Sequence, residues 1–388
     1  MRLLRRSAFL AFAAAAACAS AQPAADLPAP SEVLATLNKV NGYFMAHHPD
    51  PGAPIQVAGH AARPSNIWTR AVYYEGLMAL YSINPDAGLR NYALTWAEDH
   101  HWGLNGGAAT RVADNQCCGQ TYLALYALDP QPQRIAMIKA SVDNMVSSAK
   151  ADDWWWCDAL QMAMPVFARL GVLEHDPRYW EKMYTLYRDA ATRQGGDGLY
   201  NGSDHLWWRD RTFVAPYREP NGKNCYWARG NGWVLAAMLR TIEILPSGAP
   251  HRDEYVRMFQ DMAAALKPLQ RADGFWNVSL LDPAHFGGKE VTGTSLFTYG
   301  FAGGIRLGLL PESEYRPAVA RAWAGLSRDA VHPDGFLGYV QGTGKQPSDS
   351  QPVGYDHVPD FQDFGTGCFL LGGSEVWKLA GGRPADAN

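Results

Sequence analysis

Apolar residues recur along this chain at helical spacing. Trp68, Val72, Leu77, Leu80 and Tyr81 fall on one helical face. So do Leu123, Leu125, Tyr126 and Leu128, then Leu160, Met164, Phe167 and Leu170, then Trp233, Ala237, Leu239 and Ile242. Segments of the same kind run across 252–269, 295–309, 314–327 and 366–379. No stretch sustains the two-residue alternation of a half-buried strand, so a large sheet is not expected. Three similar turns punctuate the helical segments: Asp197-Gly198-Leu199-Tyr200, Asp273-Gly274-Phe275-Trp276 and Asp334-Gly335-Phe336-Leu337. Each is an Asp-Gly turn followed by an aromatic or apolar pair. Together they form a weak internal repeat of helix, helix and long loop. The pattern predicts an all-α fold of helical hairpins in a ring or stack, with the long loops gathered at one end around a pocket.

The first residues do not belong to that pattern. Arg2, Arg5 and Arg6 precede an Ala-rich apolar run from Phe9, and Ala19-Ser20-Ala21 is a small-residue cleavage site. Residues 1–21 therefore read as a secretory signal, too short for a spanning helix. Ala15-Ala16-Ala17-Cys18 weakly resembles a lipoprotein box but lacks the leucine three residues before the cysteine, so simple export is preferred. The Pro/Ala-rich segment 22–30 reads as a tether. From 31 to 388 no composition break or charge block appears, which predicts one large domain. Losing the three signal arginines takes the formal charge from −4 to −7. That argues against nucleic acid or an anionic membrane as partner, and leaves room for an acidic ligand if arginines are focused locally.

Cysteine and histidine change little. Cys117, Cys118, Cys157, Cys225 and Cys368 remain after export, an odd number with no zinc spacing. They read as small buried hydrophobes. His47-His48 and His100-His101 are adjacent pairs, which do not converge as ligands one helical turn apart would. Neither a metal nor a cofactor is expected, and nothing in the chain sets an oligomeric state.

Two segments carry candidate chemistry. Trp227-Ala228-Arg229-Gly230-Asn231-Gly232-Trp233 sets a permanent cation between two indoles. A guanidinium can grip a carboxylate through two parallel hydrogen bonds, and indole faces stack on sugar rings. The pair suits an acidic sugar; the plainer alternative makes Trp227 and Trp233 core residues and Arg229 a helix-end group. The second segment, Asp152-Asp153-Trp154-Trp155-Trp156-Cys157-Asp158, places acids beside three tryptophans. An apolar wall disfavours an ionised carboxylate, which suits a general acid near neutral pH. Asp158 could instead cap the helix that begins near Ala159. Asp152 and Asp153 read as loop or cap residues.

At these residues a resemblance emerges. The chain resembles the unsaturated glycuronyl and rhamnogalacturonyl hydrolases of glycoside hydrolase families 88 and 105. The matching pieces, in order, are Asn66-Ile67-Trp68-Thr69-Arg70, the segment from Ala113 to Leu123, Trp155-Trp156-Cys157-Asp158-Ala159-Leu160, the Trp227–Trp233 run, Glu290-Val291-Thr292-Gly293-Thr294, and Gly365-Thr366-Gly367-Cys368-Phe369-Leu370-Leu371. The resemblance implies an (α/α)6 barrel. It also implies an unsaturated uronic-acid oligosaccharide as substrate, with a C4=C5 double bond left by a lyase. In that chemistry one aspartate protonates C4, water adds at C5 with the same carboxylate as base, and the hemiketal collapses to release the aglycone. The matching position is Asp158. Asp114 matches a second active-site aspartate whose charge would raise the pKa of the first; its alternative is a cap for the helix near Gln120. Arg229 matches a residue near the uronate carboxylate, with Trp227 stacking; Trp233, Trp156, Asn66 and Trp68 are further substrate-binding candidates. One departure stands out. Where family members often carry Tyr-His, this chain reads Leu206-Trp207-Trp208-Arg209-Asp210, so Arg209 stands near the histidine position and His205 is out of register. No catalytic histidine is carried over; Arg209 either binds substrate or pairs with Asp210. An ordinary inverting glycosidase and a non-catalytic sugar-binding protein remain the competing readings.

Overall fold

Fourteen α-helices, twelve of them eleven residues or longer, make up the architecture among the described residues of the computed structural model, 26–56 and 61–384. The signal segment and residues 22–25 of the tether lie outside those residues. In chain order the helices are α1 (Pro30–His47), α2 (Trp68–Ile83), α3 (Ala87–Asp99), the short α4 (Ala113–Gln116), α5 (Cys118–Leu128), α6 (Ala136–Val146), α7 (Ala159–Leu173) and α8 (Arg178–Thr192). There follow α9 (Ala228–Ile244), α10 (Arg252–Leu266), the short α11 (Pro283–Phe286), α12 (Val291–Arg306), α13 (Glu312–Gly325) and α14 (Asp363–Leu379). The two named strands, β1 (Tyr200–Asn201) and β2 (Leu206–Trp207), form a small antiparallel hairpin.

Helices α2, α5, α7, α9, α12 and α14 pack each against the next, and α14 packs back against α2 to close a ring. Outside it, α1 lies on α14, α3 on α2 and α5, α8 on α7, α10 on α9 and α13 on α12, with α6 against α8. This is the (α/α)6 barrel that the resemblance implied. Inner and outer helices differ in burial. In α12 every residue from Val291 to Ile305 is buried, as befits a helix surrounded by protein. In α8 a single stripe, Tyr179, Met183, Leu186, Tyr187 and Ala190, supplies the apolar contact. Each of the six inner helices overlaps a segment predicted from the apolar pattern, although α12 and α14 begin three to four residues earlier than expected and α5 and α9 five residues before their first predicted apolar position. The structure adds α1, α3, α6 and α8, all on the outside.

Ring closure joins the two ends of the chain. Arg70 on α2 donates through Nε to Asp363 Oδ2 on α14 at 2.7 Å, with both side chains buried. The helix backbones come so close there that a Cβ on Gly367 would lie 2.2 Å from the Val72 carbonyl oxygen. The three Asp-Gly turns share one conformation, their glycines holding φ of +94° (Gly198), +95° (Gly274) and +101° (Gly335). Each follows an outer helix and sends the chain into a loop at the same end of the barrel. The five cysteines are free and buried. The paired histidines are satisfied by local partners: His47 Nδ1 meets the Tyr43 carbonyl, His48 Nδ1 that of Phe44, and His100 Nε2 lies 2.6 Å from Ser65 Oγ. No helix of the described residues is long and apolar enough to cross a membrane.

Candidate active site

The loops at one end surround a cavity of about 520 Å3. Its walls include Trp68 at the start of α2, Asp114 on α4, Trp156 and Asp158 ahead of α7, Arg209, Trp227 and Arg229 at the start of α9, Trp233, and Phe361 just before α14. Five of the six inner helices thus present their N-terminal ends, directly or through α4, to one space. Unpaired amides and helix dipoles make such ends favourable to negative charge. Of the binding and catalytic residues expected from sequence, the cavity gathers all but Asn66. That side chain turns away and donates from Nδ2 to the Gly103 carbonyl at 3.2 Å, fixing the approach to α2.

Asp158 occupies the N-cap position of α7 but makes no capping hydrogen bond. The contrast with Glu290, the N-cap of α12, is direct. Glu290 spends Oε1 on Thr292 N and Oγ1 and Oε2 on Gly293 N, at 2.6–2.8 Å. Asp158 is 7 % exposed and leaves its carboxylate to other partners. Arg209 Nε donates to Oδ2 at 3.1 Å, and the Cys157 thiol lies 3.4 Å from Oδ1. The local chain path explains the first contact. Cys157 N donates to the Arg209 carbonyl at 2.8 Å and Trp156 pairs with Asp210 in an isolated bridge, so two distant loops run side by side. Arg209 also donates to Asp210 Oδ2 at 2.8 Å. Both roles weighed for it from sequence meet in one side chain, which pairs with Asp210 and lines the cavity.

The carboxyl that the pocket pushes up is Asp114, to about 7. Burial is the main cause and the charge of Asp158 the next, partly countered by Arg209. Sequence reasoning had placed this upward shift on Asp158. The group pushed up here is Asp114, which is buried, faces Asp158 and has no hydrogen-bond donor among the described residues. Asp114 sits inside α4 and caps nothing.

Arg229 also departs from expectation. It is 1 % exposed, and its fork is already engaged: Nη1 donates to the Gln341 carbonyl and Nη2 to that of Gly342, both at 2.6 Å. Its guanidinium lies 4.3 Å from the Trp227 ring centroid and 4.8 Å from that of Phe364. Burial lowers its pKa, partly offset by Glu290 and Asp158. In this arrangement Arg229 ties the 341–344 loop over the cavity through Nη1 and Nη2 and adds positive charge beneath it, with Nε left unpartnered. Trp227 joins the same clamp, donating from Nε1 to Gln341 Oε1 at 2.8 Å.

The three consecutive tryptophans part company as the backbone extends past the site. Trp154 is wholly buried against Phe167, Trp156 forms cavity wall, and Trp155 is 51 % exposed at the rim, with Arg209 5.7 Å from its ring. Asp153 is held by Arg111 and Lys150, and Asp152 by Lys150, as loop residues would be. His205 meets Tyr200 in the hairpin and lies outside the cavity. Sequence reasoning missed Arg63, Asn105, Asn115, Thr343, Gly344 and Phe361 among the lining residues. The Gly342-Thr343-Gly344 run was the one available signal, a loop able to approach a ligand closely.

A barrel of paired helices with two carboxyls, indoles and arginines at the helix N-termini defines a carbohydrate-active hydrolase of the (α/α)6 class. Residues 36–380 match the model of Glycosyl Hydrolase Family 88, and the chain belongs to that family; it is a glycoside hydrolase. An unsaturated 3S-rhamnoglycuronyl hydrolase of Formosa agariphila is 33 % identical over 342 residues, 80 % of this chain and 84 % of that protein. One of the same name from an Alteromonas species is 32 % identical over 347 residues, 82 % and 80 % of the two chains. A family 88 glycosyl hydrolase structure from Bacteroides vulgatus superposes with a TM-score of 0.82 at 31 % identity, covering 91 % of this chain and 100 % of the other.

Proposed function

We propose that the enzyme removes a 4,5-unsaturated uronic acid from the non-reducing end of lyase-generated oligosaccharides, by hydrating the C4=C5 enol ether. The observation that carries this reading is the carboxyl pair Asp114 and Asp158, one member pushed up to about 7, at a focus of helix N-termini in an indole-walled cavity. Asp114, pushed up to about 7, is the member that can hold a proton near neutral pH. Asp114 passes its proton to Asp158, which delivers it to C4. The ring oxygen shares the positive charge at C5, water adds there, and Asp158 takes a proton from the water. The resulting hemiketal opens, and the aglycone leaves with no displacement at C1. Asp114 holds the proton in the free site, and Arg209 fixes the Asp158 carboxylate. The uronate carboxylate is met by the helix N-termini, the positive charge of Arg229 and the rim guanidinium of Arg63; Trp68, Trp156 and Trp227 flank the ring.

The relatives' shared name, unsaturated 3S-rhamnoglycuronyl hydrolase, supports rhamnose as the linked sugar. Beside the cavity a second cleft of about 520 Å3 is lined by Trp155, Arg209, Arg211, Thr212 and Lys345. An aromatic shelf flanked by cations suits an anionic sugar there. Export to the periplasm or beyond, through the signal at 1–21, fits a substrate of this size.

The test is a lyase digest of an acidic polysaccharide, followed by ultraviolet absorbance. The conjugated double bond should disappear as the neutral or sulfated remainder is released. In heavy water, deuterium should enter C4 of the released ketouronate, and oxygen-18 from water should enter C5. Cleavage of saturated saccharides with label at C1 would favour an ordinary inverting glycosidase, and binding without turnover a sugar-binding protein.

A further inference from the structure

Behind Trp227, away from the catalytic cavity, two segments are stitched together. Ala228 N donates to the Val278 carbonyl at 2.9 Å, Leu280 N donates to that of Tyr226 at 3.0 Å, and Trp227 pairs with Ser279 in an isolated bridge. Two acids and a histidine converge beside this seam. Glu219 and Asp282 are 3 % and 2 % exposed, while His285 reaches the surface from α11. One ligand-capable atom of each lies within 4.8 Å of the other two. No lysine or arginine pairs with either acid among the described residues.

The hydrogen bonds present leave this cluster short of positive charge. Ser279 Oγ donates to Glu219 Oε2 at 2.5 Å, and the amides of Asn221 and His285 donate to Asp282 at 3.0 and 3.2 Å. Glu219 Oε1 is sealed from solvent and has no hydrogen-bond partner. The Cys225 thiol borders Glu219, and burial together with that carboxyl pushes its pKa up. His285 Nδ1 stands 4.0 Å from Glu219 Oε2, beyond hydrogen-bonding distance. Two buried acids with no cationic side chain beside them leave a place for a counter-cation between Glu219 Oε2, Asp282 and His285.

We infer that Glu219, Asp282 and His285 bind a divalent zinc-type cation, with water completing its coordination on the exposed side of His285. An imidazole with two carboxylates is a zinc-type donor set; calcium and magnesium take oxygen ligands almost exclusively. Ligands at about 2.0–2.2 Å from one zinc ion stand closer together than the present spacing, and side-chain shifts below about 1 Å would close it. The ion would pin the 218–226 loop to the 279–286 segment and so hold the backbone on which Trp227 enters the active site. Its role is structural, and it stands apart from the proposed reaction.

The exported chain, stripped with chelator and then dialysed against zinc chloride, provides the test. Bound zinc per chain and the thermal midpoint are read for the wild type, His285→Ala and Glu219→Gln. The wild type should take up one zinc and unfold several degrees higher with it. His285→Ala, at an exposed position that keeps the fold by circular dichroism, should bind at least about tenfold more weakly, since even outer-shell partners are worth that much. Glu219→Gln should behave alike. Three results would overturn the proposal: no stoichiometric zinc in the wild type, equal zinc affinity in wild type and His285→Ala, or a calcium-induced rise of the midpoint as large as that with zinc and indifferent to His285.

Discussion

Asp114 and Glu75 lie toward opposite ends of the same barrel, and burial pushes both carboxyls up to about 7. Their surroundings differ in every other respect. Glu75 borders a cavity of about 310 Å3 at the far end of the ring, where inner helices α2, α5, α9 and α14 finish. It accepts from the Cys117 thiol at 3.2 Å and from Gln161 Nε2 at 2.8 Å, and Arg240 Nη1 stands 3.4 Å away. Asp114 has no such donors, faces a second carboxyl, and opens to a space that helix N-termini make attractive to anions. A raised pKa alone therefore does not mark chemistry. Glu75 is a satisfied structural group that links α2, α5, α7 and α9. Asp114 keeps its hydrogen-bonding capacity unspent, as a group awaiting substrate does.

The comparison can be broken most sharply at Asp158, the second carboxyl of the active-site cavity. Asp158→Asn should leave the fold and substrate binding intact while lowering kcat by about 10^3-fold or more, since an amide cannot deliver the proton. Single-turnover loss of absorbance measures it; a decrease within about tenfold would remove Asp158 from the acid role. Asp114→Asn should follow, with kcat down by roughly 10^2-fold. In the wild type, activity should fall as pH rises through about 7, where the pair loses its proton, and that limb should vanish from the Asp114→Asn profile. A profile unchanged by this substitution would detach Asp114 from the reaction.

Glu75→Gln should do the reverse, sparing kcat and altering stability. Its folded pKa is raised from 4.5 to about 7, so its contribution is complete below about pH 4.5 and is lost as pH rises through about 7. Across that window wild-type stability should decline relative to Glu75→Gln by up to about 3 kcal/mol, read from denaturant midpoints at each pH. Equal slopes in the two proteins would show that Glu75 does not titrate there. The smallest effect belongs to the rim. Trp155→Ala should raise KM a few-fold at constant kcat, about 1 kcal/mol of stacking on the linked sugar. No change in KM for a substrate long enough to reach the second cleft would place that sugar elsewhere.

Much of the fold was readable before any coordinates. Helix α7 buries nearly every residue from Ala159 to Leu170, and such runs mark the inner ring plainly. The outer helices were harder. Leu89, Tyr92, Ala93, Trp96 and Ala97 of α3 hold helical spacing, yet the helix touches protein on one side and polar residues fill the rest. The site followed the same division. Asp158, Trp156 and Trp227 announced themselves by residue type and neighbours and Asp114 by the family resemblance, whereas Arg63 and Thr343 enter the cavity from loops with no apolar period to flag them.

The sequence by itself determined the helical repeat, the residues that make the barrel's interior, and the acids and indoles available for chemistry, because spacing and side-chain type are local properties. Tertiary structure alone decided how those residues are employed. Only the pairing of segments 156–157 and 209–210 sets Arg209 against Asp158, and only burial beside Asp158 pushes the Asp114 carboxyl up. Only tertiary packing brings the 341–342 carbonyls onto the Arg229 guanidinium at the cavity wall. Charges act through space and desolvation depends on everything packed nearby, so neither can be read from positions along a chain.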